Sequence, residues 1–207
     1  MVQTADGNML PRLTSKEDFL AFEAGAKERW DDLWSGSRLV VSVGVGSSSI
    51  AKGALEILTR CRREVGDGGV VREVSGNGAF WMEPWIEVKR PDAPPVVYGP
   101  VTEDEVAAVI AGAREDLAVG VRGDETFGSI RPLGEHPFFS HQTSLLLRNS
   151  GVIEPESIED AIARGAYRAY FQVLFEMSGE EAIAEVTASQ VRGRGGGGFP
   201  AGIKWES

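Results

Sequence analysis

One stretch restricts this chain more than any other: Arg192-Gly193-Arg194-Gly195-Gly196-Gly197-Gly198-Phe199-Pro200-Ala201-Gly202-Ile203-Lys204-Trp205. Glycine loses more backbone entropy on ordering than any other residue, so four in a row oppose packed structure. They offer main chain without Cβ atoms, on which a ligand can lie and collect N–H groups. Arg194 and Lys204 bring positive charge to that surface in a chain of net charge −10, as an anionic ligand requires. Phe199 and Trp205 add aromatic faces. These residue types describe a site for a phosphorylated, aromatic cofactor.

Other readings of the same glycines stand beside it. Gly193-x-Gly195-x-x-Gly198 has dinucleotide spacing, but that motif follows a strand and opens a helix. Here the preceding Ser178 to Gln190 reads as helix. A phosphate loop needs Gly-Lys-Ser/Thr, and Ile203 precedes Lys204. Arg-Gly segments that bind RNA recur in basic, disordered regions; this one occurs once, in an acidic chain. A flexible linker is the plainest alternative, and it leaves Phe-Pro-x-Gly-Ile-Lys-Trp unexplained.

The 207 residues, 42% of them hydrophobic, suffice for one domain or two small ones. The acidic balance argues against nucleic acid and anionic membrane surfaces. No apolar run reaches the eighteen or so residues that span a bilayer, and the N-terminus lacks a basic-then-apolar signal pattern. The expectation is a cytoplasmic protein, peripheral at most to a membrane complex. Cys61 is the only cysteine, so neither an internal disulfide nor a cysteine-ligated cluster can be built from this chain alone. His136 and His141, five apart, do not form a helical metal pair and read as structural or surface residues.

Phe19, Phe22, Ala26, Trp30 and Leu33 recur at helical steps behind Ser15, an N-cap with Asp18 three residues on, so 1–37 is read as carrying an amphipathic N-terminal helix whose stripe is core. An α/β unit follows over 38–120. Leu39 to Val45 and Val70 to Val74 read as strands around a helix from Ile50 to Val65. Trp85 to Lys89 and Val96 to Val101 form a hairpin-like pair, and a capping box from Thr102 to Glu105 opens a helix running to about Asp116. The order β-α-β-β-β-α is that of a small thioredoxin-like layer sandwich. Gly44-Val45-Gly46-Ser47-Ser48-Ser49 sits where phosphate can bind, but it lacks the third fingerprint glycine; a tight turn with a serine cap is the better reading. The third region, 121–207, is mainly helical: Glu156 to Met177 as one long helix, with Tyr167 and Tyr170 as packing residues, then a capping box at Ser178–Glu181 opening a helix to about Gln190.

At Val191 to Trp205 the sequence resembles the NADH-binding flavoprotein subunits of respiratory complex I and the diaphorase subunits of NAD-linked hydrogenases and formate dehydrogenases. Pro137-Phe138-Phe139 with Gln142, and Leu147-Arg-Asn-Ser-Gly-Val-Ile-Glu-Pro-Glu-Ser157, carry the resemblance further, over roughly Gly123 to Trp205. It implies the start of an FMN-binding flavoprotein fold, with hydride taken from NADH onto non-covalent FMN and electrons passed singly to iron–sulfur partner subunits. Carried over, Gly193, Arg194, Gly195, Gly196 and Gly197 line FMN, Lys204 balances the flavin charge and Phe199 stacks on the nicotinamide side. The α/β unit is similar to the thioredoxin-like ferredoxin domain that often precedes this fold. That domain places cysteine pairs at stretches matching Gly46 to Ala54 and Ser75 to Pro84. Neither stretch holds a cysteine here, so the expectation is a scaffold that has lost its [2Fe–2S] centre.

The chain departs from the family beyond Trp205, where Glu206-Ser207 replaces Ser-Phe, and one loop glycine stands where alanine is usual. The expectation is a fragment, or a split subunit completed by another chain that supplies the remainder of the flavoprotein fold. Two function classes remain: the N-terminal part of an NADH:acceptor flavoprotein with FMN and NAD(H), or a catalytically incomplete docking subunit of such a complex.

Overall fold

The computed structural model describes residues 11–207. The first ten residues of the 1–37 region, and the reading that no signal pattern begins the chain, lie outside them. Helix α1 (Lys16–Ser35) leads to strand β1 (Leu39–Gly44). The short α2 (Ser47–Ile50) and α3 (Ala54–Val65) then return the chain to β2 (Gly69–Val74). Strands β3 (Ile86–Lys89) and β4 (Val96–Tyr98), helix α4 (Val106–Ile110) and β5 (Ala118–Val121) complete an α/β arrangement. Beyond β5 the described residues form helices: α5 (Pro137–Ser140), α6 (Ile158–Ala163), α7 (Arg168–Glu176), α8 (Gly179–Ala188) and α9 (Ala201–Glu206).

The five strands form one mixed sheet in the order β2-β1-β3-β4-β5. β1 and β2 run parallel, Leu39 opposite Gly69 and Gly44 opposite Val74; the remaining neighbours are antiparallel. The fifth strand follows the helix expected to end near Asp116, at a place where no strand was expected from the sequence. Its four residues, two of them buried, are too few for a periodic signal.

Alternation puts two kinds of side chain on the two faces of the sheet. Val41, Val43, Ile86, Val88, Val96, Tyr98 and Val121 form a dry core with Ile57, Leu58, Cys61 and Val65 of α3 and Val106 and Val109 of α4. Each large apolar side chain buried there contributes roughly 1.5–3 kcal/mol. The opposite face mixes Val74, Trp85 and Val97 with buried polar residues Ser42, Arg72, Glu87 and Lys89. Leu133, Phe138 and Phe139 cover part of that second face.

Glycine explains where helices break. The expected single helix from Ile50 is interrupted at Gly53, whose φ of +96° places it in the left-handed region at the start of α3. The expected helix 156–177 is likewise two, because Gly165 at φ +91° and Tyr167 at φ +63° turn the chain between α6 and α7. The break lets Ile162 and Phe171 both reach α1, where Phe171 stacks on Phe19 with ring centroids 3.9 Å apart. It also leaves Tyr167 and Tyr170 51% and 60% exposed, against the expectation that they pack. The helix expected from Thr102 to Asp116 is a 3-10 turn, then α4, then a second 3-10 turn over Glu115–Leu117.

The α1 capping box is present, with Ser15 Oγ accepting from Asp18 N at 3.1 Å and Asp18 accepting from Ser15 N at 3.1 Å. Glu23 on its buried face accepts from Arg168 Nε at 3.0 Å and pairs with Lys27 at 3.2 Å. Burial pushes this carboxyl up, but those two cations outweigh it and hold it below the usual range. No helix of the described residues is long and apolar enough to cross a membrane.

Candidate functional site

Helix α8 opens with its expected capping box, Ser178 Oγ accepting from Glu181 N at 3.2 Å and Glu181 accepting from Ser178 N at 2.8 Å. It delivers the chain directly into the glycine loop. The loop is closed at its base as a small antiparallel bridge between Arg192 and Pro200. Gly193 N donates to Phe199 O at 2.9 Å, and Ala201 N donates to Val191 O at 2.8 Å. Arg192 Nη1 adds a 3.3 Å bond to Gly198 O.

Between those pins the main chain is bare. Among the described residues none accepts from the N–H groups of Arg194 to Gly198. A Cβ added at Gly195, Gly196, Gly197 or Gly198 would meet no atom within 4 Å. The protein's own packing therefore does not demand these glycines. Backbone conformation requires two of them, Gly196 at φ +109° and Gly198 at φ +59°. The loop thus offers donors on a surface that side chains would obstruct, which is the chemistry of an anion cradle.

Helix α9 follows at once and is held against α8 by the absence of a side chain. A Cβ on Gly202 would lie 2.7 Å from Thr187 Cα. Arg194 and Lys204 make no ion pair with a described carboxylate, and Phe199 and Trp205 are 56% and 60% exposed. Gly193, Arg194, Gly195, Gly196, Gly197, Phe199 and Lys204 therefore stand on one hairpin-and-helix unit. Their cations and one aromatic ring are available to a ligand, so the residues fit a phosphorylated, aromatic group.

The two stretches where the resemblance would place cysteines do come together. Lys52 Nζ, from the first, donates to Phe80 O at 2.9 Å and Glu83 O at 3.4 Å in the second. Ser49, fully buried, accepts from Gly46 N at 2.8 Å and donates to Gly46 O at 3.1 Å. The first stretch does form a tight turn into α2, but the N-cap is Gly46 and not a serine; Ser49, inside the helix, reaches back to it. Among the described residues no group of three or more His, Cys, Asp or Glu is arranged to hold a metal ion. Cys61 is buried in the dry core, which pushes its thiol up to about 12, with Glu64 adding a smaller push. His136 uses Nδ1 to accept from Phe138 N at 3.2 Å and stacks on Trp81 at 4.6 Å.

Sequence reasoning passed over the polar residues that dock the helical half on the sheet. Arg122 pairs with the buried Glu87 and donates to Gly151 O at 3.2 Å. Ser75 Oγ accepts from Gly151 N at 3.1 Å. Arg72 pairs with Asp160 and donates to Val152 O at 3.0 Å. A charged residue inside a β-branched strand was the available signal, and it reads equally well as the solvent side of an amphipathic strand.

No family model matches the chain. It is 48% identical over 64 residues to the NADP-reducing hydrogenase subunit HndC of Solidesulfovibrio fructosivorans, covering 31% of this chain and 13% of that protein. It is 43% identical over 61 residues to an NADH-quinone oxidoreductase F subunit of Rhizobium meliloti, covering 30% and 14%. It is 41% identical over 63 residues to the NADH-quinone oxidoreductase F subunit of Aquifex aeolicus, covering 30% and 15%. The chain therefore spans less than a sixth of the length of these relatives. Over about 30% of its residues, the chain is related to the complex I flavoprotein family, that of the NADH-quinone oxidoreductase F subunits.

Proposed function

We propose that the chain is part of an NAD(P)H-oxidising electron-transfer flavoprotein and that its glycine loop holds FMN. The observation that carries this reading is the loop pinned at Val191–Gly193 and Phe199–Ala201 with the N–H groups between left free. FMN, when bound, supplies hydride acceptance from NADH and one-electron release to iron–sulfur partner subunits; the protein supplies position and charge. The main chain of Gly193, Gly195, Gly196 and Gly197 approaches the cofactor closely, and Arg194 donates to its anionic groups. Lys204 offsets negative charge on the flavin, and Phe199 offers its face to the nicotinamide. Residues 121–207 are the start of the flavoprotein fold, and 38–120 is a thioredoxin-like scaffold without a cluster. The assembly is cytoplasmic or peripheral to a membrane complex.

A second reading is favoured by α7, where Tyr170, Val173 and Leu174 are 60%, 41% and 55% exposed. On this reading the chain is a docking subunit whose helices cover a partner, or the remainder of its own flavoprotein fold, and whose loop holds no flavin. One experiment separates the two. The chain is isolated within its native assembly, with and without Arg194→Ala, and acid-released flavin per chain is measured. Loss of one hydrogen bond to a charged group, about 1.5 kcal/mol, should weaken FMN binding by roughly tenfold. Unchanged flavin in the variant removes Arg194 from the site; an intact assembly without flavin supports docking alone.

A further inference from the structure

Strand β2 stands at one edge of the sheet, paired with β1 alone. The register fixes which way its main chain faces. Val45 N donates to Val74 O, so Val74 turns its peptide groups toward β1, and Arg72 and Val70 do the same by alternation. Val71 and Glu73 therefore turn their N–H and C=O groups away from the sheet, and no described group bonds to them. At the opposite edge the chain covers itself, with Val121 N donating to Arg131 O at 2.8 Å. An uncovered row of main-chain donors and acceptors is a template for another extended segment.

A groove of about 790 Å³ runs along this edge. Val70, Val71, Arg72 and Glu73 line one side of it, and α1 and the segment 154–160 line the other. Half-buried Trp30 and Leu33 give the α1 wall apolar surface. The charges do not balance, since six carboxylates and four guanidiniums face the groove. Arg72 is committed to Asp160 and Glu154, Arg62 to Glu73, and Arg38 to Asp32. That leaves Glu156 and Glu159 against Arg29 alone.

We propose that β2 takes up an extended, basic segment of a partner protein as a sixth strand of the sheet. The segment exchanges main-chain hydrogen bonds with Val71 and Glu73. Alternate apolar side chains lie against Trp30 and Leu33, and lysine or arginine reaches Glu156 and Glu159. The groove shares no lining residue with 191–205, so this docking is independent of FMN in the glycine loop.

The test is calorimetry and amide exchange of the full chain with a synthetic Lys-Val-Lys-Val-Lys-Val peptide, and with its Glu-Val counterpart as control. The basic peptide should bind saturably, one per chain. The amide protons of Val71 and Glu73 should then exchange more slowly, while that of Arg72, already bonded to β1, should not change. The acidic peptide should bind at least about threefold more weakly, and Glu156→Gln with Glu159→Gln should weaken the basic one by a similar factor, the weight of exposed ion pairs. N-methylation of alternate peptide amides should cost at least about fivefold for the set that faces β2 and little for the set that faces away. Arg194→Ala should change none of this. The proposal is overturned if the basic peptide does not bind, if Val71 and Glu73 exchange as before in its presence, if the acidic peptide binds as tightly, or if both methylated sets are tolerated. It is also overturned if sedimentation shows a concentration-dependent dimer of the chain alone in which Val71 and Glu73 are already protected, since the occupant is then a second copy.

Discussion

Arg72 is the residue on which the attachment of the helical half to the sheet most depends. It sits on β2, is 2% exposed, and pairs with Asp160 and, at 3.7 Å, with Glu154. It donates to Val152 O at 3.0 Å, and its guanidinium lies 5.3 Å and 5.6 Å from the ring centroids of Trp30 and Trp34. One side chain thus ties β2 to α1 and to the turn that starts α6. Removing one partner of a buried ion pair costs about 3–5 kcal/mol because the other charge is stranded. Asp160 keeps 18% of its side chain in solvent and also accepts from Glu154 N at 3.0 Å, which puts the expectation at the lower end. Loss of the carbonyl bond adds about 1 kcal/mol. Arg72→Ala should therefore cost about 4 kcal/mol in urea unfolding, and Asp160→Asn on that background should add little, a coupling of about 2 kcal/mol. Amide exchange should show α6 to α9 losing protection before the sheet. A cost below about 1 kcal/mol, or equal loss of protection in both halves, would refute Arg72 as the docking residue.

Three further outcomes follow from the same geometry. Gly202→Ala must move α9 from α8, since the new Cβ meets Thr187 Cα at 2.7 Å; a cost of about 1–3 kcal/mol is expected by thermal unfolding, with amide protection lost first in α9. Cys61 should not react with a thiol reagent at neutral pH until the protein unfolds. Because its folded value near 12 exceeds the ordinary 9.0, stability should fall as pH rises from about 9 through 12, and Cys61→Ala should flatten that fall. In acid the sign reverses. Asp18, Glu105 and Glu181 are all lowered, first by the main-chain bonds of Thr14, Thr102 and Ser178 respectively, so the stability they lend is full above 3.8 for Asp18 and 4.5 for the glutamates and drains as pH drops further. Circular dichroism of Glu181→Gln should show a shallower acid loss of α8 than the parent.

The parts of the fold legible in sequence are those that local chemistry decides. Ser15 with Asp18 and Ser178 with Glu181 announce their helices and form both boxes. The β-branched run Leu39 to Val45 reads as a buried strand, and β1 forms over Leu39–Gly44 as the second strand in from the sheet edge. What was illegible depends on distant partners. Tyr167 in a left-handed conformation breaks a helix that periodicity would continue, because α1 offers Phe19 to Phe171 only if the chain turns there. Arg72 and Glu87 sit in alternating strands where solvent-facing residues belong, and only the return of 149–160 over that face buries them. The glycine loop was legible as a motif. The groove along β2 was not, since its walls come from four separate stretches.

The loop itself allows its two uses of glycine to be separated. Gly196 and Gly198 hold positive φ, so alanine there strains the backbone by about 1 kcal/mol or more whether or not a ligand binds. Gly195 and Gly197 hold no such φ, and a Cβ on either meets nothing within 4 Å. For the protein alone, Gly195→Ala and Gly197→Ala should therefore leave the melting temperature level, or raise it slightly by restricting the unfolded chain. If the bare main chain exists so that FMN can approach it, these same silent substitutions should lower flavin content in the native assembly. Stability and flavin content are then expected to diverge at Gly195 and Gly197 and to fall together at Gly196 and Gly198. Should all four variants keep their flavin, the glycines would serve only the turn, and the cradle reading of the loop would fail.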